Sequence, residues 1–362
     1  MISTSEDRSD EPTYTSDLPA GWSVSTPTEA DAGELTKLLR RHEKHARGSA
    51  SSSEDDVLVE ISAAGSMVRE NLIVRDDHGV VRGWASAHDR AAGRMLLMVI
   101  VDPRLDDSLG DRAAEVLFEW ADEAATRVGA GRGLEKQQID SGAFADDARQ
   151  HRWLERAGYR KVRTWWQMTR PVTSDEVEPP ATKPGVVIRR VERQGTGMPS
   201  EEDLRTVHDI LEASFADHFN SHEESFDEFV FRLREDPGHR WDHWWIAELV
   251  EDGKDPEPAG TLVGTVSEGG IDEQGNKLPD GSYVSYIGVL QNARGRGVAK
   301  SLLSTIIADA AARDRDRVGL EVDADSPTRA DSLYTSMGWK TSYMTQSWHR
   351  DVPVSDVPAD AS

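Results

Sequence analysis

The stretch VLQNARGRGVAKSLL, residues 289–303, sets two arginines and two glycines at the head of an apolar-striped run. A run with strand character, YVSYIGVL from Tyr283, leads into it, and Ala299, Leu302, Leu303, Ile306, Ile307 and Ala310 follow at helical spacing. Strand, glycine turn and helix in that order bring unpaired N–H groups and the positive end of a helix dipole to one point, which makes an anion site. Gly295 and Gly297 let the backbone approach a ligand and take positive φ, while Arg294 and Arg296 add charge beside it. The same glycines also suit a tight turn built for geometry alone. Neither the GxxxxGK(S/T) of a P-loop nor the GxGxxG of a dinucleotide fold is present.

Working outward, the unit occurs twice. WLERAGYRKVRTWWQMTRPV from Trp153 and LYTSMGWKTSYMTQSWHRDV from Leu333 align without a gap, 180 residues apart. Each reads as a helix end, a glycine (Gly158 or Gly338) followed by an aromatic, and a strand. Upstream, the first copy has the strand-like MLLMVIV from Met95, a turn, and a helical stripe of Ala113, Leu117, Trp120, Ala121, Ala124 and Val128. Two copies of one α/β unit follow. The Pro-rich, charged stretch RPVTSDEVEPPATKPGVVIRR reads as a linker between them. The expected division is a first domain at 18–172, a linker at 173–186, a second domain at 187–352, and polar tails at 1–17 and 353–362 that lack the apolar residues to order themselves.

Composition narrows the function. The chain has 362 residues, with 66 acidic against 42 basic side chains and a formal charge of −24. A field of that sign disfavours nucleic acid and anionic membrane surfaces as partners. It would attract a cationic substrate, and it also serves solubility alone. The absence of cysteine removes disulfides, thiolate metal sites and cysteine nucleophiles. No apolar run approaches the roughly 18 residues of a membrane span, and the polar N-terminus MISTSEDRSDEPTYTSD has no signal-peptide pattern, so a cytoplasmic protein is expected.

The six residues RGRGVA, Arg294 to Ala299, fit (Q/R)xxGx(G/A) and resemble the pyrophosphate loop of the GNAT acyltransferases. The later segment LEVDADSPTRADSLYTSMGWK resembles that family's AxxxYxxxGF, with Ala330 four residues before Tyr334 and Tyr334 four before Gly338. The resemblance implies an α/β fold of two tandem GNAT-like domains, each a twisted mixed β-sheet flanked by helices. It implies acetyl-CoA as co-substrate, no metal, and acetyl transfer to a primary amine of a small molecule by direct attack on the thioester. By the same resemblance Arg294, Gly295, Arg296, Gly297, Val298 and Ala299 hold the pyrophosphate. The backbone at Val289 and Leu290 binds the thioester and pantetheine arm, and Tyr334 is the general acid at the sulfur. Where the family usually has Asn, Asp325 and Ser326 stand nearest, and Ser326 is the expected cofactor contact. The tandem layout also resembles the mycothiol synthases, which acetylate a cysteinyl amine, although the strand GSYVSYIGV holds no carboxylate to match their glutamate.

The first copy departs from this pattern. Its turn DPRLDDSLGDR sets Asp106 and Asp107 against Arg294 and Gly295, and Leu154 stands in the place of Tyr334, so it is expected to keep the fold without the activity. For the acceptor side, His218 and His222 lie four apart and share a helix face, while Tyr283 and Ser285 point two hydroxyls to one side of a strand. Asp242 and His243 are expected at the pocket mouth, and Trp244, Trp245 and Ile246 in the core. A non-catalytic acyl-CoA sensor or scaffold would carry the same loop but would have no use for a proton donor at Tyr334.

Overall fold

The structure, a computed structural model, describes residues 18–63, 65–90, 94–194, 197–216, 224–235, 239–269, 277–325 and 330–354. The first half runs β1 (Ser23–Ser25), α1 (Ala32–Arg47), α2 (Glu54–Ile61), β2 (Arg69–Arg75), β3 (Val81–Arg90), β4 (Arg94–Val101), α3 (Asp107–Gly131), β5 (Lys136–Phe144), α4 (Ala148–Arg156) and β6 (Arg160–Pro171). The second begins with β7 (Val186–Arg190), the short pair β8 (Arg193–Gln194) and β9 (Met198–Pro199), α5 (Glu201–Phe215) and α6 (Phe226–Glu235). It then repeats the pattern through β10 (His239–Leu249), β11 (Glu257–Ser267), β12 (Gly281–Val289), α7 (Val298–Ala312), β13 (Arg317–Asp323), α8 (Ala330–Ser336) and β14 (Lys340–Pro353). Apart from β8 and β9, the element order of the first half recurs in the second.

The halves do not form separate sheets. One twelve-stranded mixed sheet runs β1-β2-β3-β4-β5-β14-β6-β13-β12-β11-β10-β7, so each half gives its last strand to the other. β14 pairs antiparallel with β5 and places Trp348 and Val352 in the first core. β6 pairs antiparallel with β13 and places Met168 in the second. The first core packs Leu117, Trp120 and Ala121 of α3 on the sheet, and the second packs Leu302, Leu303 and Ile306 of α7. These are the residues of the two helical stripes, buried because a 3.6-residue period keeps them on one face. The opposite face carries α1 and α2 on one side, and α5 and α6 over Trp244, Ile246 and Val263 on the other. Among the described residues no helix is long and apolar enough to cross a membrane.

Candidate active site

The loop between β12 and α7 ends in two left-handed glycines, Gly295 at φ 79° and Gly297 at φ 86°. Gly297 is the N-cap of α7, and no side chain caps the helix. The backbone N–H groups of Gly295, Gly297, Val298, Ala299 and Lys300 donate to no group among the described residues. A positive-φ glycine is what lets the chain turn into the helix without a Cβ shielding those donors. The guanidinium groups of Arg294 and Arg296 are exposed beside them, and Arg296 Nη1 lies 3.9 Å from Glu251 Oε1.

Just upstream the sheet opens. The parallel ladder between β12 and β13 covers only Ser282–Val284 against Val318–Leu320, after which the strands separate. At that point β12 also carries an extra residue, Ser285, between the pairs Val263↔Tyr286 and Gly264↔Val284. A bulge of this kind re-aims the backbone and ends regular pairing. The result is a cleft between two strands that leads towards the glycine loop. A shallow depression of about 630 Å³, bordered by Ala213, Leu290, Gln291 and Asn292, adjoins its outer end.

Tyr334 on α8 is 8% exposed and buries its ring in the same cluster as Ala293 and Val298. It meets Trp339 edge-on at 6.1 Å, and its backbone carbonyl accepts from Trp339 N at 3.1 Å, across the left-handed Gly338. Burial raises the phenol pKa, and the hydroxyl has no hydrogen-bond partner among the described residues. The first residue of β13 beyond the ladder is Glu321. Its carboxylate accepts from Gln167 of β6 and sits in a concave floor that water reaches but neighbouring protein crowds. That desolvation raises its pKa, against the opposing pull of the Gln167 contact.

Residues 204–339 match the family model described as the Acetyltransferase (GNAT) family, a span that takes in both RGRGVA and Tyr334. The matched stretch, residues 204–339, is a GNAT acetyltransferase domain. In fold, the whole chain is similar to a GCN5-related N-acetyltransferase from Sphaerobacter thermophilus, with a TM-score of 0.71 at 22% identity, over 93% of this chain and 97% of that one. It is also similar to a tandem GNAT protein from the clavulanic acid biosynthesis pathway, with a TM-score of 0.66 at 14% identity, over 92% of this chain and 100% of that one. N-myristoyltransferase of Saccharomyces cerevisiae with bound myristoyl-CoA gives a TM-score of 0.60 at 12% identity, over 96% and 86% of the two chains. No curated protein matches the sequence.

Within the GNAT domain, the loop residues Arg294 to Ala299 come together as one turn. Leu290 contributes less backbone than expected, because its N–H donates to Ala259 O at 2.9 Å and its carbonyl accepts from Ala293 N at 3.0 Å. What remains is its side chain on the depression. Tyr283 lines a cavity of about 670 Å³ on the sheet face opposite α7, where burial raises its phenol pKa. Ser285 lies within 3.1 Å of Thr265 Oγ1, which borders the same cavity. A second cavity of about 520 Å³ shares Gln167 and Tyr343 with the first and includes Glu321, so a polar groove crosses the exchanged strands. His218, His222 and Ser326 lie outside the described residues.

His243 is not at a pocket mouth. It is fully buried beside Asp309 of α7, 3.6 Å away, and Arg315, and burial lowers its pKa to about 4. Alternation along β10 turns it towards α7, leaving Trp244 on the other face. Among the described residues no group of His, Asp or Glu is placed to hold a metal ion. Glu321 is the residue that sequence reasoning passed over. Its one signal was a carboxylate between two strand-pattern apolar residues, Leu320 and Val322, which equally describes a solvated strand face.

The first half fills its own version of this site. Asp106 is the N-cap of α3, and its carboxylate accepts from Leu109 N at 2.9 Å. The structural counterpart of Asp106 is therefore Gly297, three residues beyond the Arg294 expected from the sequence. Arg149 Nη2 donates to Asp106 O at 3.1 Å, and the amide of Gln150 lies 3.3 Å from Val99 O and 3.4 Å from Gly142 O, bridging β4 and β5 where their ladder has ended. Leu154, fully buried, takes the place of Tyr334 and makes the same backbone bond, to Tyr159 N at 2.9 Å.

Proposed function

We propose that this chain is an acetyl-CoA-dependent N-acetyltransferase that acts on a primary amine of a small molecule, with the active site in the second half. The observation that carries this reading is the uncapped, glycine-turned start of α7 at the end of a cleft between separated strands. Five N–H groups without an acceptor among the described residues, and a helix dipole, suit a diphosphate, and the open strands suit an extended arm. Bound acetyl-CoA would supply the activated acyl group. The loop N–H groups and Arg294 fix its phosphates, and the backbone of β12 from the bulge at Ser285 to Val289 borders the arm.

Two titratable groups then divide the proton work. Tyr334, kept protonated by its raised pKa, donates to the departing sulfur. Glu321, across the cleft mouth from the bulge, takes the proton of the attacking amine. A lysine-type amine of pKa about 10.4 costs roughly 4.6 kcal/mol to deprotonate at pH 7, and an α-amino group near 7.8 only about 1. A single carboxylate with a raised pKa suits the second class, to which the cysteinyl amine of a mycothiol precursor belongs. Its first half keeps the fold and the exchanged strand and has no activity of its own.

The test is Tyr334→Phe. It should lower kcat by about 10²- to 10⁴-fold and leave the dissociation constant of acetyl-CoA unchanged. Loss of both together would remove Tyr334 from the proton-transfer role, and unchanged turnover would do the same.

A further inference from the structure

Lys183 sits in the stretch between the halves, outside the family-model match, yet its side chain lies on the glycine loop. Its ammonium donates to Gly295 O at 3.2 Å, and its Cδ and Cε lie 3.1 and 3.3 Å from where a Cβ on Gly297 would be. The stem occupies the space that any side chain at Gly297 would need. The lysine is also held in place at its root. Lys183-Pro184-Gly185-Val186 forms a turn, with Val186 N donating to Lys183 O at 3.0 Å and Gly185 at φ 79°. Proline second and a left-handed glycine third are the residues such a turn requires. Thr182 Oγ1 donates to Val186 O at 2.7 Å, and Val250 N to Gly185 O at 2.9 Å, tying the turn to the edge of the second half.

We infer that Lys183 is a phosphate-binding residue of the acyl-CoA site, delivered by the linker to the diphosphate held at the start of α7. The inference rests on the acyl-CoA reading above. An ammonium has three donors, and Gly295 O uses one, which leaves two for phosphate oxygens. It also meets an electrostatic need. The chain carries a formal charge of −24, so a diphosphate approaches against the overall field and depends on cations at the loop. Arg296 is partly engaged with Glu251 3.9 Å away, whereas the ammonium of Lys183 forms no ion pair with a carboxylate among the described residues. Lys183 is exposed, so its replacement should not disturb the core.

The experiment is calorimetric titration of CoA and of 3′-dephospho-CoA into the full-length protein and its Lys183→Gln and Lys183→Arg variants, with turnover of S-acetylpantetheine and a thermal melt as controls. Lys183→Gln should weaken both nucleotides about tenfold and flatten the salt dependence of binding, as expected for one charge-assisted contact. Lys183→Arg should retain most of the affinity, and turnover of S-acetylpantetheine, which has no phosphate, should not change. Unchanged CoA affinity in Lys183→Gln overturns the inference. A loss for CoA but not for 3′-dephospho-CoA overturns the diphosphate assignment, and an equal loss with S-acetylpantetheine reduces Lys183 to a structural role. Failure of the unaltered protein to bind CoA would sink the acyl-CoA reading itself, and this inference with it.

Discussion

The N-termini of α3 and α7 are the same piece of architecture put to two uses. Both follow a strand that parts from its parallel neighbour, and both head the helix that packs on its half's core. At α3 the exposed donors are met from within, by the Asp106 carboxylate, with Arg149 and Gln150 closing over the loop and the strands. At α7 a glycine takes the capping position and the donors stay open. A helix start is stabilised by negative charge by about 0.3–1 kcal/mol, whether the charge is a side chain or a ligand. One half has taken that stabilisation into its own fold, and the other leaves the position open.

The sharpest way to break the comparison is to give the second half the first half's solution. Gly297→Asp puts a carboxylate at the α7 N-cap, forces a side chain into a left-handed position and displaces the stem of Lys183. CoA affinity measured by calorimetry should fall about 100-fold or more, which is about 2.7 kcal/mol. Retained affinity would mean that the anion binds elsewhere. Glu321→Gln comes next, with kcat/KM expected to fall about 10²-fold or more and CoA affinity unchanged. In the unaltered enzyme activity should be lost as pH falls through the raised pKa of this carboxylate, and the variant should lack that limb. The carboxylate is faced by Gln167 of β6, Tyr283 of β12 and Tyr343 of β14, with Asp323 on its own strand. Because the folded pKa lies above the ordinary value, its contribution to stability is present at low pH and lost as pH rises through the folded pKa. Glu321→Gln should therefore melt no lower than the parent at neutral pH. A pH profile identical to the parent's would assign the proton to another group.

The repeat, the two helical stripes and the RGRGVA turn were legible because they depend on local chemistry: periodicity, glycine at positive φ, and a helix start. The strand exchange was not. WLERAGYRKVRTWWQMTRPV and LYTSMGWKTSYMTQSWHRDV read identically whether each strand stays with its own half or crosses, since pairing partner is a long-range choice that alternation does not encode. Glu321 was hidden for the same reason, because its floor is built by Gln167 and Tyr343 from the exchanged strands. The alignment of Asp106 failed locally, since turns of different length hid which residue caps each helix.

Exchange also creates a matched pair of arginines. Arg170 of β6 reaches the Gly338 corner of the second half, donating through Nε to Met337 O at 2.7 Å and lying 5.9 Å from the Trp339 ring. Arg350 of β14, 180 positions later, lies 5.8 Å from the Tyr159 ring at the Gly158 corner of the first and pairs with Asp122 at 2.9 Å. Each change to alanine should cost about 1–2 kcal/mol in denaturant unfolding, the scale of a partly exposed charged hydrogen bond. Their effects on turnover should differ. Arg170→Ala loosens the corner that holds Tyr334 and should lower kcat several-fold, while Arg350→Ala should leave kcat alone. Equal effects on kcat would mean that both corners serve stability only.

The smallest effect comes from undoing the first half's own cap. Asp106→Ala removes the carboxylate from Leu109 N and should cost about 1 kcal/mol, the usual value of an N-cap. It should not open a second CoA site. Arg149 would still lie across the loop, Gln150 would still bridge Val99 O and Gly142 O, and Leu154 would still stand in the place of Tyr334. Calorimetry should therefore register the same single stoichiometry as the parent protein. A second binding event would show that one carboxylate alone kept the first half silent, and the two helix starts would then differ by one residue rather than by a rebuilt site.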